Sequence, residues 1–324
     1  MGLMVVGMHR SGTSAVAEVL CRLGLNVGEG TEYEVEAGNA RGLYEWRETV
    51  EFNDEWLGRY DSAWWAPPRL GANDWREVDL RQLAASRRQL PYFTGEMSNW
   101  FVKDPRISLL LPLWDRLLLA RSPAVVVVRS PRAVAASIRL RSGMHTARSL
   151  ALGAEHYRAI YAALEDRPAL VVSYEQMLAD PATTIAALAQ FAAEQGFAVD
   201  FDVAEAAGAL DPKLRRNRGR VASEYEDQLV ASLAELYEPL AAAHLGPPPT
   251  GFADYQLPQW ATEALDEASE LCRTRIVAGK YQMAAEDFRD ANAEIEGSNS
   301  YRLARALQVM GQVVKEGRRG GLAR

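Results

Sequence analysis

Hydrophobic residues in the first two hundred positions fall into short compact runs, separated by longer segments of helical periodicity. The compact runs are Leu3–Gly7, Asn99–Lys103, Ala124–Val128 and Ala169–Ser173. Short runs bounded by glycine or polar residues are typical of buried strands, and the four valines of the third run favour a strand covered on both faces. The helical segments lie at positions 13–23, 47–59, 75–90, 109–119, 147–165 and 182–195. This alternation predicts an α/β domain with a mainly parallel sheet flanked by helices.

The pattern changes after residue 245. Positions 246–251 read GPPPTG, the composition of a semi-rigid linker. Beyond the linker the periodicity is wholly helical, over 259–278, 281–295 and 298–316. Turns between these helices are expected at the two glycines, Gly279 and Gly297.

We therefore expect three parts: an α/β domain over 1–245, a Pro/Gly linker over 246–257 and an all-helical C-terminal extension over 258–324. Three antiparallel helices can pack on the main domain or on a second subunit. A homo-oligomer formed through the C-terminal helices is one expectation.

Composition and charge narrow the class of protein. The chain of 324 residues carries a formal net charge of −7, so broad nucleic-acid binding by phosphate neutralisation is not expected. Cys21 and Cys272 have no metal-ligand or redox spacing and are expected to be packed thiols. The sequence contains no run of about 18 apolar residues, so no membrane span is predicted. The N-terminus lacks the basic region of a secretory signal, so a cytoplasmic location is the default expectation.

The first predicted strand leads into a glycine loop. Gly7 and Gly12 have the spacing of a phosphate-binding loop, in which backbone N–H groups and a helix N-terminus face an anion. A kinase or ATPase loop would have lysine at position 13, where this chain has Thr13, and the nearest cation is Arg10. Because phosphoryl transfer usually needs that lysine and magnesium, the loop disfavours ATP chemistry. A tight strand-to-helix turn without a ligand is the structural alternative.

Positions 7–14, which read GMHRSGTS, resemble the 5′-phosphosulfate loop of the bacterial type of sulfotransferase. These enzymes use 3′-phosphoadenosine 5′-phosphosulfate (PAPS). The resemblance implies a P-loop NTPase-like nucleotide-binding fold, PAPS as donor and 3′-phosphoadenosine 5′-phosphate (PAP) as product. It also implies that the 5′-phosphate and sulfate are wrapped by Arg10, Ser11, Gly12, Thr13 and Ser14. Cytosolic members often have lysine at this position; Arg10 would take its place and bind the anion through two N–H groups.

A second anion site is indicated at the end of the four-valine strand. Arg129 follows that strand, and Ser137 stands eight residues later on the next predicted helix. The carboxyl ends of parallel strands are where α/β proteins bind ligands, and this pair can grip one phosphate from two directions. The spacing resembles the family's 3′-phosphate motif, and that phosphate is what separates PAPS from ATP. A surface ion pair for Arg129 and a helix crossing at Ser137 are the alternatives.

Two further segments resemble donor-binding parts of the family. Tyr174, after the fourth strand, resembles a strand-end tyrosine near the adenine; an edge aromatic is the alternative. The basic stretch at 213–218 resembles a late loop that closes over the 3′-phosphate, with Arg215 and Arg216 as its contacts. A solvated charge run is the alternative there.

The resemblance also assigns catalytic roles, and none of them needs a metal. Lys103, followed by Asp-Pro-Arg, resembles the lysine that stabilises the leaving PAP oxygen in tyrosylprotein and bacterial glycan sulfotransferases, and Arg10 would share this work. Glu45 ends a segment that resembles the bacterial Asn-Pro-x-Gly-Tyr-x-Glu type and is the first candidate for the base, with a pKa raised by burial. His9 is the second candidate. A glutamate at a helix N-terminus and a salt bridge for Lys103 are the alternatives.

The acceptor is expected to be a hydroxyl or amine, for instance on a glycan or a small molecule. The aromatic stretch from Trp56 to Trp65 is a natural place for it, although these rings can equally belong to the core. Two other functions stay open at this point. One is a P-loop small-molecule kinase that uses ATP and magnesium. The other is a non-catalytic nucleotide-binding scaffold whose C-terminal helices recruit a partner.

Overall fold

The computed structural model of the chain describes residues 2–27, 42–68, 75, 78–87, 90, 98–164, 167–200, 210, 223–252 and 254–297. The strands are β1 (Leu3–Val6), β2 (Phe101–Lys103), β3 (Ala124–Val128) and β4 (Ala169–Ser173). The helices up to β4 are α1 (Thr13–Arg22), α2 (Arg47–Gly58), α3 (Leu80–Arg87), α4 (Ile107–Leu118), α5 (Pro131–Ser142) and α6 (Thr146–Ala163). After β4 come α7 (Tyr174–Ala179), α8 (Pro181–Glu194), α9 (Glu224–Ala231), α10 (Ala234–Ala242) and α11 (Gln259–Gly297).

The four strands form one sheet in the order β2-β1-β3-β4, and every neighbouring pair is parallel. This confirms the predicted α/β class. The chain leaves β1 towards β2 on one side and leaves β3 towards β4 on the other side. The neighbouring strands β1 and β3 therefore form a topological switch point, where a crevice opens beyond the carboxyl ends of the strands.

Both faces of the sheet are buried, which explains why its strands are nearly uninterrupted apolar runs. Met4 and Val6 of β1 belong to a core shared with α2, α4 and α6. Leu3 and Val5 point to the other face, into a core shared with α1 and α8. The alternation within one four-residue strand thus places the sheet between two helical layers.

The C-terminal helical pattern differs from expectation at one point. A turn was expected at Gly279, but α11 runs as one helix through Gln259–Gly297. A single glycine costs a helix only about 1 kcal/mol relative to alanine, so the helix-forming residues on either side of Gly279 are enough to carry the helix through it. The third predicted helix, at 298–316, lies outside the described residues.

The chain divides into two compact units, Met1–Cys272 and Arg273–Arg324. Within the first unit, the Gly/Pro stretch after residue 245 meets the edge strand, since Val171 N–H donates to Gly246 O at 2.9 Å. The start of α11 packs against α6, where Ala261 and Leu265 contact Ala151. The division at 245 and 258 stays a prediction. Among the described helices, none combines the length and apolarity needed to cross a membrane.

Candidate active site

The residues singled out from the sequence gather at the carboxyl edge of the sheet. His9 and Arg10 follow β1, Lys103 ends β2, Arg129 follows β3 and Tyr174 follows β4. Because all four strands are parallel, their carboxyl ends face the same crevice. Sequence positions that are up to 165 apart are therefore brought to one edge.

The glycine loop is held tightly between β3 and α4. The Gly7 N–H donates to Ser108 Oγ at 3.0 Å, and the Ser108 hydroxyl lies 3.1 Å from Gly7 O, within donating distance. A Cβ on Gly7 would stand 2.5 Å from Val127 O, and one on Gly12 would stand 2.2 Å from Tyr174 Cδ2. Gly12 also has a φ of 102°, which favours glycine. Ser108 was missed by sequence reasoning, because nothing in a helix that starts after Lys103 signals a contact to the first loop.

The two predicted anion-binding groups are in direct contact. Arg129 Nη1 donates to Arg10 O at 3.0 Å, and the Arg129 guanidinium lies 4.5 Å from the centroid of the Tyr174 ring. Arg10 Nε in turn donates to Ser137 Oγ at 2.9 Å. Arg10 has a φ of 69°, a left-handed conformation that costs a non-glycine residue about 1–3 kcal/mol. The bond from Arg129 helps to hold the carbonyl of this strained residue in place.

The position of the Arg10 side chain differs from the one expected from the sequence. The sequence places Arg10 at the 5′-phosphosulfate and Ser137 at the 3′-phosphate, yet here their side chains are bonded to each other. Arg10 thus points towards the site predicted for the 3′-phosphate.

The other residues predicted to bind the donor lie in or next to the glycine loop. Ser11 and Thr13 are buried, and the Ser14 hydroxyl donates to Leu43 O at 3.3 Å. Arg215 and Arg216 lie outside the described residues.

The first candidate base and the predicted leaving-group lysine form a buried ion pair. Lys103 Nζ lies 2.5 Å from Glu45 Oε1 and 2.7 Å from Leu43 O. The side chains are only 1% and 12% exposed, respectively. Burial raises the pKa of Glu45, and the nearby charge of Lys103 opposes that rise. The upward direction agrees with the expectation from the sequence.

A second polar network fixes the turn that follows Lys103. The fully buried Asp104 accepts from Asn53 Nδ2 at 2.9 Å and from the Arg106 backbone N–H at 2.9 Å. Asn53 Oδ1 accepts from Trp114 Nε1 at 2.9 Å, so both ends of this buried amide are used. The Arg106 side chain reaches Asp104 at 3.1 Å and Asp54 at 2.7 Å. Asn53 was also missed by sequence reasoning, since one asparagine within a helix carries no signal.

The second candidate base lies in an aromatic setting. The His9 ring centroid is 4.4 Å from that of Trp64 and 6.0 Å from that of His156. Burial, followed by the charge of Arg106, lowers the pKa of His9 well below 6.5, so the ring is neutral at pH 7. Its Nε2 has no hydrogen-bonding partner in the described part of the chain. Burial likewise lowers the pKa of His156 to about 4.

The aromatic stretch divides between core and site. Trp56 is buried at 1% exposure and belongs to the core, whereas Trp64 and Trp65 are only partly buried and pack against its rim. Of the three, Trp64 contacts His9 of the glycine loop. In the portion of the chain that the structure describes, no group of three or more His, Cys, Asp or Glu residues is arranged to hold a metal ion.

Comparison with known proteins agrees with this geometry. A model of the sulfotransferase family matches residues 2–195, more than half of the chain and a range that contains all four strands. A comparison with curated proteins finds no match. On the strength of the family match, the chain belongs to the sulfotransferase family and is an enzyme of sulfuryl transfer.

Proposed function

We propose that this enzyme transfers a sulfuryl group from PAPS to a hydroxyl or amine acceptor by in-line displacement, and that glycans are among the acceptor classes to test first. The observation that carries the proposal is the contact between Arg129 Nη1 and Arg10 O at 3.0 Å. It joins the glycine loop of β1 to the strand-end arginine of β3 at the switch point of the sheet. Two neighbouring anion-binding groups suit a nucleotide that has phosphate on both sides of one ribose.

The residues present fit such a donor. The backbone from Arg10 to Ser14 precedes and opens α1, where N–H groups and the helix dipole favour an anion. The lack of side chains at Gly7 and Gly12 lets β3 and Tyr174 approach this loop closely. Arg129 and Ser137 would hold the 3′-phosphate, and Tyr174 would lie beside the adenine. To face the transferred group, Arg10 would have to give up its bond to Ser137.

Lys103 and Glu45 would carry the chemistry. Sulfuryl transfer builds negative charge on the leaving oxygen and requires that the acceptor lose a proton. A lysine at the end of β2 supplies the charge, and its pairing with Glu45 at 2.5 Å favours an ionised carboxylate, the form that accepts a proton. The raised pKa of Glu45 makes that carboxylate a better base than an exposed one.

His9 is the weaker candidate for the base. Its pKa is lowered well below 6.5 by burial, so the neutral ring is available at pH 7 but holds a proton poorly. We therefore assign proton abstraction to Glu45 and keep His9 as the alternative.

The two other functions have less support. A magnesium-dependent kinase would need the loop lysine that Thr13 replaces, and family membership favours sulfuryl transfer. A non-catalytic scaffold would have no need for a buried pair between Lys103 and Glu45. Turnover assays separate this possibility from the proposal.

The donor is tested by calorimetry with PAP, ADP and AMP. PAP should bind far more tightly than either, and equal affinities would contradict a 3′-phosphate site. Arg129→Gln should weaken PAP by about 1.5–3 kcal/mol, the value of a hydrogen bond to a charged group. Arg121→Gln makes the same charge change before the amino end of β3, at the opposite edge of the sheet, and should leave PAP binding unchanged. Transfer from radiolabelled PAPS to a panel of hydroxyl and amine acceptors then identifies the acceptor class.

A further inference from the structure

A fully buried tyrosine of α6, Tyr157, lies at the end of β3. Its hydroxyl donates to Val127 O at 2.8 Å. A strand carbonyl ordinarily accepts from a backbone N–H of the neighbouring strand, so a side-chain donor at this position is a departure from the regular ladder. The reason for the departure follows from the register of β1 and β3.

Val127 turns its backbone groups towards β1 at a point that β1 no longer covers. Met4 N–H of β1 donates to Pro123 O, and every second residue of a strand faces the same neighbour, so Val127 faces β1 as well. The last pairing between these strands joins Val6 to Val126, after which the chain enters the glycine loop. The tyrosine hydroxyl therefore takes the place of a donor from β1.

The same carbonyl limits how the glycine loop passes β3. A Cβ on Gly7 would stand 2.5 Å from Val127 O and 2.9 Å from Ser11 Oγ, so the loop is packed closely against this carbonyl. Two residues beyond Val127, the Arg129 side chain reaches back to Arg10 O at 3.0 Å. The end of β3 thus contacts the glycine loop at its first residue and again at Arg10. A displacement of Val127 would change both contacts.

The Tyr157 ring is supported by a helix that lies after the residues matched by the family model. Its centroid is 5.1 Å from that of Tyr237 of α10, and the planes meet at 74°, the edge-to-face arrangement that aromatic pairs prefer. A Cβ on Gly153, one turn earlier in α6, would stand 2.6 Å from the Tyr237 hydroxyl oxygen, so the glycine makes room for this ring. A path of contacts therefore runs from α10 through α6 to the donor site.

We propose that Tyr157 is a positioning residue of the donor site: its hydroxyl fixes the end of β3 so that the glycine loop and Arg129 face one nucleotide, and Tyr237 holds its ring in place. This inference rests on the proposed function, and it names a residue that acts through Val127 O rather than on the nucleotide itself. ADP needs only the anion site of the glycine loop, whereas PAP needs that site and Arg129 at a fixed separation. Loss of the Tyr157 hydroxyl should therefore weaken PAP binding more than ADP binding.

The test compares the affinities of PAP and ADP by calorimetry in matched tyrosine variants. Tyr157→Phe removes the hydroxyl and keeps the ring, and should lower the ratio of PAP to ADP affinity about three- to tenfold, the effect of one lost hydrogen bond. Tyr161→Phe is the control, because it removes another hydroxyl of α6, which donates to Leu236 O at 3.5 Å, and should leave the ratio unchanged. A hydroxyl that only stabilised the fold would lower the free energy of unfolding without changing the ratio, since both nucleotides bind the same folded molecule.

A second variant tests the path from α10. Tyr237→Leu removes the edge-to-face support of the Tyr157 ring and should lower the same ratio at least about twofold. Because Tyr237 acts through the Tyr157 hydroxyl, the double variant Tyr157→Phe/Tyr237→Leu should have the ratio of Tyr157→Phe alone. Additive falls in the double variant would contradict this path.

The outcomes separate this inference from the donor assignment. A ratio in Tyr157→Phe within about twofold of wild type would overturn the inference, as would equal falls in Tyr157→Phe and Tyr161→Phe. If Tyr157→Phe does not fold, Tyr237→Leu decides in its place by the same criterion. A wild-type preference for PAP that both variants retain would contradict the role of Tyr157 and leave the donor assignment intact. If the wild-type enzyme bound PAP no more tightly than ADP, the donor assignment would fail, and this inference would fail with it.

Discussion

Removing Lys103 tests the charge state of its buried ion pair with Glu45. In Lys103→Met, Glu45 loses the Nζ at 2.5 Å while its own side chain stays 12% exposed. Deleting one partner of a buried pair costs about 3–5 kcal/mol, because the remaining charge is desolvated without compensation. Leu43 O also loses the donor at 2.7 Å. We therefore expect the free energy of unfolding at pH 7.5 to fall by about 3–5 kcal/mol, measured by urea denaturation with tryptophan fluorescence.

The loss should depend on pH in a defined direction. Lys103 lowers the pKa of Glu45 against the larger effect of burial, so the variant should have a still higher folded-state pKa at this residue. A carboxyl group with a raised folded-state pKa is most stabilising below its unfolded-state pKa, about 4.3 for glutamate, and this contribution is lost as pH rises. The deficit relative to wild type should thus shrink on acidification from pH 7.5 to 5.5.

The double variant Lys103→Met/Glu45→Gln is the matched control. It has no charge at either position of the pair, so part of the lost stability should return, with a coupling energy of about 0.5–3 kcal/mol between the two positions. Recovery should be incomplete, since the bond to Leu43 O is still missing. A deficit below about 1 kcal/mol, a deficit that does not change with pH, or strict additivity would refute an ionised pair in the free enzyme.

Two other perturbations address the base and the turn after Lys103. Glu45→Gln should bind PAP as wild type does but lose about 10²–10⁴-fold in turnover. The wild-type rate should rise with pH through a midpoint above the ordinary glutamate pKa, and the pH–rate profile of Glu45→Gln should lack this rise. Turnover near that of wild type in Glu45→Gln would instead assign the base to His9. Asn53→Leu should remove one buried hydrogen bond from Asp104 and one from Trp114 Nε1, and lower the free energy of unfolding by about 2–6 kcal/mol. A loss below about 1 kcal/mol in urea denaturation would contradict this account of the network.

The main strands and the first loop were predictable because short-range patterns determine them. The run Ala124–Val128 has the same bounds in the sequence prediction and in the structure, since four valines between polar ends leave little choice of conformation. Gly7 and Gly12 were informative for a related reason: close approach by Val127 and Tyr174 excludes side chains there. At these positions the glycines that mark the loop in the sequence are also the residues that the close packing requires.

The connections within the site were not predictable in the same way. Ser108 binds a residue 101 positions earlier, and Asn53 binds one 51 positions later. Serine and asparagine are common in helices for many reasons, so only the assembled sheet reveals their partners. The bond between Arg10 and Ser137 also could not be predicted from spacing, because the two residues are 127 positions apart.

The turn predicted at Gly279 is wrong because the prediction relied on a single local signal. Glycine often ends helices, which favours a break at Gly279, but glycine is also tolerated inside helices at a modest cost. The described α11 passes through it. A glycine without a neighbouring proline or capping residue is a weak indicator of a helix end.

The two bonds between Ser108 and Gly7 have a mechanical consequence. Ser108 lies in the first turn of α4, immediately after the turn that Asp104 and Arg106 hold behind Lys103. The glycine loop and the backbone of Lys103 are consequently parts of one stiff frame, so their separation is set by folding. Any closing movement of the protein must then come from chain segments beyond this frame, while the glycine loop and the end of β2 keep their separation.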